Sequence, residues 1–174
     1  MIKEEANKQS RNSQIHFRRY AREWVMQFLF QYDISEMEES SILDTFSFQV
    51  RETELYETPS KDVFKKAYKA ALKLLSGVLS KINEIDSIIS RFSSKSDWPI
   101  ERIDLVDKNI MRVAVYEMLF CDNVPNIVSI NEAVEIGKEF GSGHSPAFIN
   151  GILNSIKDSL QKLPTESGIE QQQQ

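Results

Sequence analysis

Apolar residues recur at helical spacing through nearly the whole chain, and this periodicity restricts the fold more than any other feature. In the first such segment Ala21, Trp24, Val25, Phe28, Leu29 and Tyr32 occupy positions i, i+3, i+4, i+7, i+8 and i+11, the stripe of an amphipathic helix. Ile42, Leu43, Phe46 and Val50 predict a second helix over about residues 41–54. Pro59 then interrupts the chain, and Ser60 is placed to cap a long helical region from Asp62 to Ile89. Gly77 lies inside that region, so it is expected to form two helices or one bent one. The segment "SSKSDWP" reads as a loop with Pro99 opening a short turn, and Asp104 with Asp107 suits a helix start. The run "LVDKNIMRVAVYEMLF" is apolar on more than one side, the pattern of a central helix. Ser129 and Glu132 form a Ser-x-x-Glu pattern predicting a capping box for the next helix, which Gly141 should stop. Ser145-Pro146 supplies the cap and first position of a final helix reaching about Leu163. The expectation is an all-α domain of six or seven helices.

Residues 1–14 are polar and read as a flexible N-terminal tail, 15–163 as one helical domain, and 164–174, ending in glutamines, as a disordered tail. The acidic linker Glu36–Glu39 has no reading beyond a solvated connection. There is no apolar signal core near the N-terminus, and no run approaches the roughly 18 apolar residues of a membrane span. A soluble cytoplasmic protein is therefore expected. The single cysteine, Cys121, excludes an internal disulfide and a multi-cysteine zinc site.

One local feature departs from the rest. The chain has a formal charge of −5, yet Lys8 to Arg22 contains five Lys or Arg and no acid. Arg18, Arg19 and Arg22 fall at the expected start of the first helix, where the helix dipole favours acids. A solvated helix end is the plain explanation. Recognition of an anion is the functional one, since arginine's planar fork suits phosphates and stacks on bases. Phe17, Tyr20 and Trp24 flank the cluster, although Trp24 is better explained as core.

Catalytic chemistry is poorly represented. His16 and His144 sit in no metal-ligand pattern, and "GSGHS" at 141–145 does not match a Gly-x-Ser-x-Gly elbow. There is no phosphate-binding loop and no dinucleotide fingerprint, and Cys121 has no visible base. The chain is not expected to be an enzyme or to need a cofactor or metal. Glu117, inside an apolar run, should pair with a cation or a backbone donor, because an unpaired buried charge costs several kcal/mol.

Three blocks resemble the NusB family of bacterial transcription antitermination factors. They are "RRYAREWVMQFLFQYD", "WPIERIDLVDKNIMRVAVYEML" and "VPNIVSINEAVEIGKEFGSGHSPAFINGIL", which cover about half the chain in the family's order and spacing. The resemblance implies an all-helical fold of two packed bundles, without catalysis. It also implies binding of boxA-type single-stranded RNA together with NusE, a small-subunit ribosomal protein. The implied setting is the elongating RNA polymerase complex with other Nus factors, reading through ribosomal RNA operons. Family members occur as monomers or as homodimers that hide the RNA surface, so a second copy is also an implied partner.

On this resemblance Arg18, Arg19 and Arg22 match the family's arginine motif for RNA, with Arg11 and Lys8 adding affinity from the tail. Phe148 matches an aromatic beside the RNA, with core packing as its structural alternative, and Lys95 is a weaker RNA candidate. Asp107 and Phe30 match positions near the junction with NusE, with capping and core packing as alternatives. Asn131, Glu132 and Asn150 are assigned to capping and packing. This chain has His144 where the family often has an acid, and Ala147 where it often has Lys. The two changes nearly cancel in charge, so RNA binding is expected to be retained. Trp24 replaces a smaller family residue, implying repacking of the first helix. The competing readings are a fragment of an RNA cytosine methyltransferase carrying a related domain, which would need a catalytic Pro-Cys motif absent here, and a protein-interaction scaffold without RNA binding.

Overall fold

Seven α-helices account for the fold of this computed structural model, which describes residues 2–35, 37, 41–53, 60–94 and 100–160, with side chains from Phe17 onward. They are α1 (Ile2–Ile34), α2 (Ile42–Thr53), α3 (Lys61–Ser80), α4 (Ile82–Ser93), α5 (Leu105–Phe120), α6 (Asn126–Phe140) and α7 (Ser145–Leu160). A single 3-10 turn at Ile100–Arg102 precedes α5, and no strand occurs among the described residues. The all-helical expectation holds, and so does the central place given to α5. Ten of its residues are buried, and it packs against α1, α3, α4, α6 and α7. The helices form two groups, α1 to α3 and α4 to α7, joined through α5 and its long contact with α1. Among the described residues no helix is long and apolar enough to cross a membrane.

The predicted apolar stripe of α1 is the core's main contribution from that helix: Val25 and Leu29 are fully buried, and Trp24 and Phe28 nearly so. Trp24 packs on Tyr20 and on Phe64 of α3, with ring centroids 5.9 and 5.6 Å apart. It is a core residue and not a stacking platform. Phe28 meets Phe46 of α2 edge-on at 5.2 Å, a geometry the aromatic quadrupole favours.

Helix ends show where the sequence reading needs revision. α1 begins at Ile2 and not near His16, because residues 1–34 contain no Gly or Pro to delay or break it. Arg18, Arg19 and Arg22 are therefore in mid-helix, where the terminal dipole has faded, and the electrostatic conflict inferred from the sequence disappears. Ser60 caps α3 as expected, accepting from the Val63 N–H at 3.3 Å. The region does form two helices, as expected, but the division is not at Gly77: α3 ends at Ser80, with Lys81 as its cap, and α4 follows from Ile82. What Gly77 provides is space, since a Cβ there would lie 2.0 Å from the Tyr116 hydroxyl of α5. Asp104 caps α5 through the Val106 N–H at 2.8 Å.

Two expected caps are not formed. α6 starts at Asn126, after Pro125, so Ser129 lies inside the helix and Glu132 turns to other partners. Ser145 likewise is already helical, and its hydroxyl accepts from the Ser142 N–H at 2.8 Å. Gly141 does end α6, and a Cβ at that position would come within 2.5 Å of Ser145. α7 is described to Leu160; the remainder of its expected length and the region 164–174 lie outside the described residues, as do most of the Glu36–Glu39 linker, Pro59 and the loop 95–99.

Candidate nucleic-acid interface

The three arginines have three different environments, decided by where each points from mid-α1. Arg22 faces inward and is only 4% exposed. Its Nε donates to both carboxylate oxygens of Glu117 on α5, at 3.0 and 3.1 Å, and its Nη1 reaches Glu132 of α6 at 3.4 Å. Glu117 thus has the cationic partner that its place in an apolar run required. Arg19, half-buried, donates through Nε to Glu132 at 2.8 Å and lies 3.9 Å from Glu23. Burial works against its charge, but Glu132, Glu23 and Glu135 outweigh that effect and hold its pKa above the ordinary value. Arg18 is exposed, makes no ion pair among the described residues, and stands 6.0 Å from the Phe17 ring.

A second polar network lies toward the other end of α1. Arg112 of α5, 3% exposed, forks onto Asp86 of α4 with its Nε and Nη2 at 2.7 and 2.6 Å. Its Nη1 donates to Asp33 of α1 at 2.8 Å and to Asn109 at 2.9 Å. Asn109 in turn donates to Asp33 at 2.9 Å. Nothing in the local sequence announces this group except an arginine set in the apolar run of α5. The two networks show that α1 and α5 run antiparallel: Arg22 meets Glu117, whereas Asp33 meets Arg112.

The residues expected to serve the protein partner are at the second end. Phe30 is half-buried and outside the core cluster, which weakens the core-packing alternative. Asp107 is buried at 6% exposure in the first turn of α5, and its Oδ1 has no hydrogen-bond partner among the described residues. Burial pushes this carboxyl up from its ordinary range, the Asp104 charge adds to the rise, and Ser145 works against it. An acid with a raised native pKa contributes stability that is present at low pH and lost as pH rises through the native value. The unfolding free energy of the wild type relative to Asp107→Asn should therefore rise as pH is lowered through the carboxylate range. Urea denaturation at a series of pH values measures it; a difference that stays flat, or falls, excludes a raised pKa.

Phe148 is half-buried, packed against the core near the start of α7, with exposed His144 and Ala147 beside it in sequence. Because Ser145, at the start of α7, is close enough to Asp107 to act on its carboxyl, Phe148 lies nearer the Asp107 end than the arginines. Asp107 and Glu117 are about 15 Å apart along α5 at 1.5 Å per residue. The structure thus does not gather the expected RNA residues into one spot. α6 connects them: Glu132 meets Arg19 at one end, and Gly137 lies against Pro146 and Ile149 of α7. Arg11, as a side chain, and Lys95 lie outside the described residues. Asn131 and Asn150 are exposed, and among the described residues Asn150 accepts only from Asn154 within α7, so neither has the packing role expected of it.

The profile of the NusB family matches residues 19–158. The transcription antitermination protein NusB of Desulfatibacillum aliphaticivorans is 43% identical over 145 residues, spanning 83% of this chain and 92% of that protein. The corresponding protein of Desulfotalea psychrophila is 39% identical, spanning 83% and 98%. Among solved structures, NusB of T. maritima is 34% identical with a TM-score of 0.63, over 81% of this chain and 90% of that one. A crystal structure of antitermination factors NusB and NusE in complex with dsRNA shares the fold at 24% identity and TM-score 0.64, over 83% and 98%.

Proposed function

The chain belongs to the NusB family, whose members are non-enzymatic transcription antitermination proteins, and from that premise we propose that it binds boxA-type single-stranded RNA together with NusE in the elongating polymerase complex. Arg18 carries this reading. It is an exposed guanidinium with no acidic partner among the described residues, set beside the Phe17 ring. Arg19 is available in part, because its Glu132 bond is partly exposed and can be exchanged for a phosphate. Arg22 supports the site from behind. An RNA strand engaging Arg18 would follow α6 toward Phe148, and NusE would meet the end marked by Phe30 and Asp107. The relatives described above are antitermination proteins, which favours this reading over a methyltransferase fragment.

The structure revises the electrostatic expectation. Three free arginines would give a log–log salt slope near −2, at about −0.7 per phosphate on a single strand. With Arg22 buried, the cluster should supply one or two phosphate contacts, and Arg18→Ala should reduce the slope by about 0.7 while weakening binding several-fold. Fluorescence anisotropy of a boxA-type RNA and a scrambled control, with and without NusE at two salt concentrations, measures both quantities. Little affinity for either RNA at both salt concentrations, with NusE still bound, would leave only a protein scaffold; equal affinity for the two RNAs would remove boxA recognition; an unchanged slope in Arg18→Ala would remove Arg18 from the interface.

A further inference from the structure

Beside Arg18 the surface opens into a cleft of about 200 Å³ between α1, α3 and the α5–α6 turn. Its size is below the roughly 300 Å³ at which sites for drug-sized ligands begin, so it suits a single small planar group. Buried Ala21, Leu74 and Val124 form its apolar floor, and the half-buried rings of Phe17 and Tyr116 line it. Gly77 keeps the Tyr116 ring in place, since any side chain there would collide with it. The exposed cations Arg18 and Lys73 line the cleft and have no ion-pair partner among the described residues. The one acid lining the cleft, Glu117, is neutralised by Arg22. Exposed Asn123 adds an amide with both a donor and an acceptor.

An apolar, aromatic interior with cations at its rim and one amide matches a nucleotide, with its base inside and its phosphate outside. We propose that the cleft holds one unstacked base of the bound single-stranded RNA, with the adjoining phosphate between Arg18 and Lys73. This rests on the RNA-binding reading above and adds a site to it. Asn123 would hydrogen-bond to the edge of the base, giving sequence preference at one position of the strand.

Cys121, the chain's single cysteine, also lines this cleft and reports on its occupancy. Burial and the Glu117 charge push its thiol up, so its alkylation by iodoacetamide is read as a rate ratio with and without RNA. With NusE and saturating boxA-type RNA, Cys121 alkylation should slow about tenfold, and replacing one nucleotide in turn by an abasic residue should restore it at a single position. At that position affinity should fall about tenfold, the loss expected for one stacked base, and Lys73→Glu should weaken binding of the intact RNA. RNA that binds by anisotropy while Cys121 reacts at its free rate overturns the base cleft and leaves RNA binding standing. Protection that survives every abasic substitution also overturns it, because the strand then covers the cleft without entering. Absence of RNA binding removes the RNA reading and the cleft with it.

Discussion

Replacing Arg112 by alanine is expected to lower the unfolding free energy by about 3–5 kcal/mol, the usual cost of removing one partner from a buried ion network. The guanidinium holds Asp86 in a bidentate fork and Asp33 through Nη1, and so ties α1 and α4 to α5. Without it two carboxylates face each other, and Asp33 also sits in the last turn of α1, where the helix dipole disfavours an acid. Lys108 lies 3.9 Å from Asp33 and 4.0 Å from Asp86, so it offsets part of the loss and places the effect toward the lower end of the range. Arg112→Lys should also destabilise, because one ammonium cannot reproduce a fork onto Asp86 together with a bond to Asp33. Against a typical total of about 5–15 kcal/mol, a loss of this size moves a urea midpoint far outside experimental error. A change below about 0.5 kcal/mol, the range of ordinary surface substitutions, would show that the network is electrostatically idle.

The same network shows which parts of the fold could be read from the sequence. Helix content and the core stripe were legible because apolar periodicity states directly which face is buried: Val25, Leu29, Phe46 and Ile85 are all at or near zero exposure. Ser60, Asp104 and Gly141 were legible because capping is decided within a few residues. The reading failed where a residue has a distant alternative. Glu132 fits a local capping box, but the arginines of α1, more than a hundred residues away, use it instead. Gly77 went with the expected division into two helices, but its own role was not legible, because Tyr116, the ring it makes room for, is on another helix. The candidate site shows the same limit. Composition marked the arginine cluster but could not show that one member points inward, since that depends on Glu117 of α5 and on α1 beginning at Ile2.

That difference within the cluster gives the second large effect. Arg22→Ala should cost about 3–5 kcal/mol, because Glu117 would keep its charge in a site 6% exposed without its cation. Glu132 would be affected less, as Arg19 remains bonded to it at 2.8 Å. Converting both partners, Arg22→Met with Glu117→Gln, should recover much of the loss, since the penalty comes from the stranded charge more than from the missing attraction. Arg18→Ala, by contrast, should leave stability within about 0.5 kcal/mol of wild type, as for other exposed positions, and weaken RNA. Urea denaturation and RNA anisotropy on the same three variants therefore separate two kinds of arginine in one sequence motif. If Arg22→Ala were as stable as wild type and lost RNA as Arg18→Ala does, the ion pair with Glu117 would be incidental and Arg22 would be an RNA ligand. If the double variant recovers both stability and RNA affinity, Arg22 acts on RNA only by holding α1 against α5, so that Arg18 is presented at the surface.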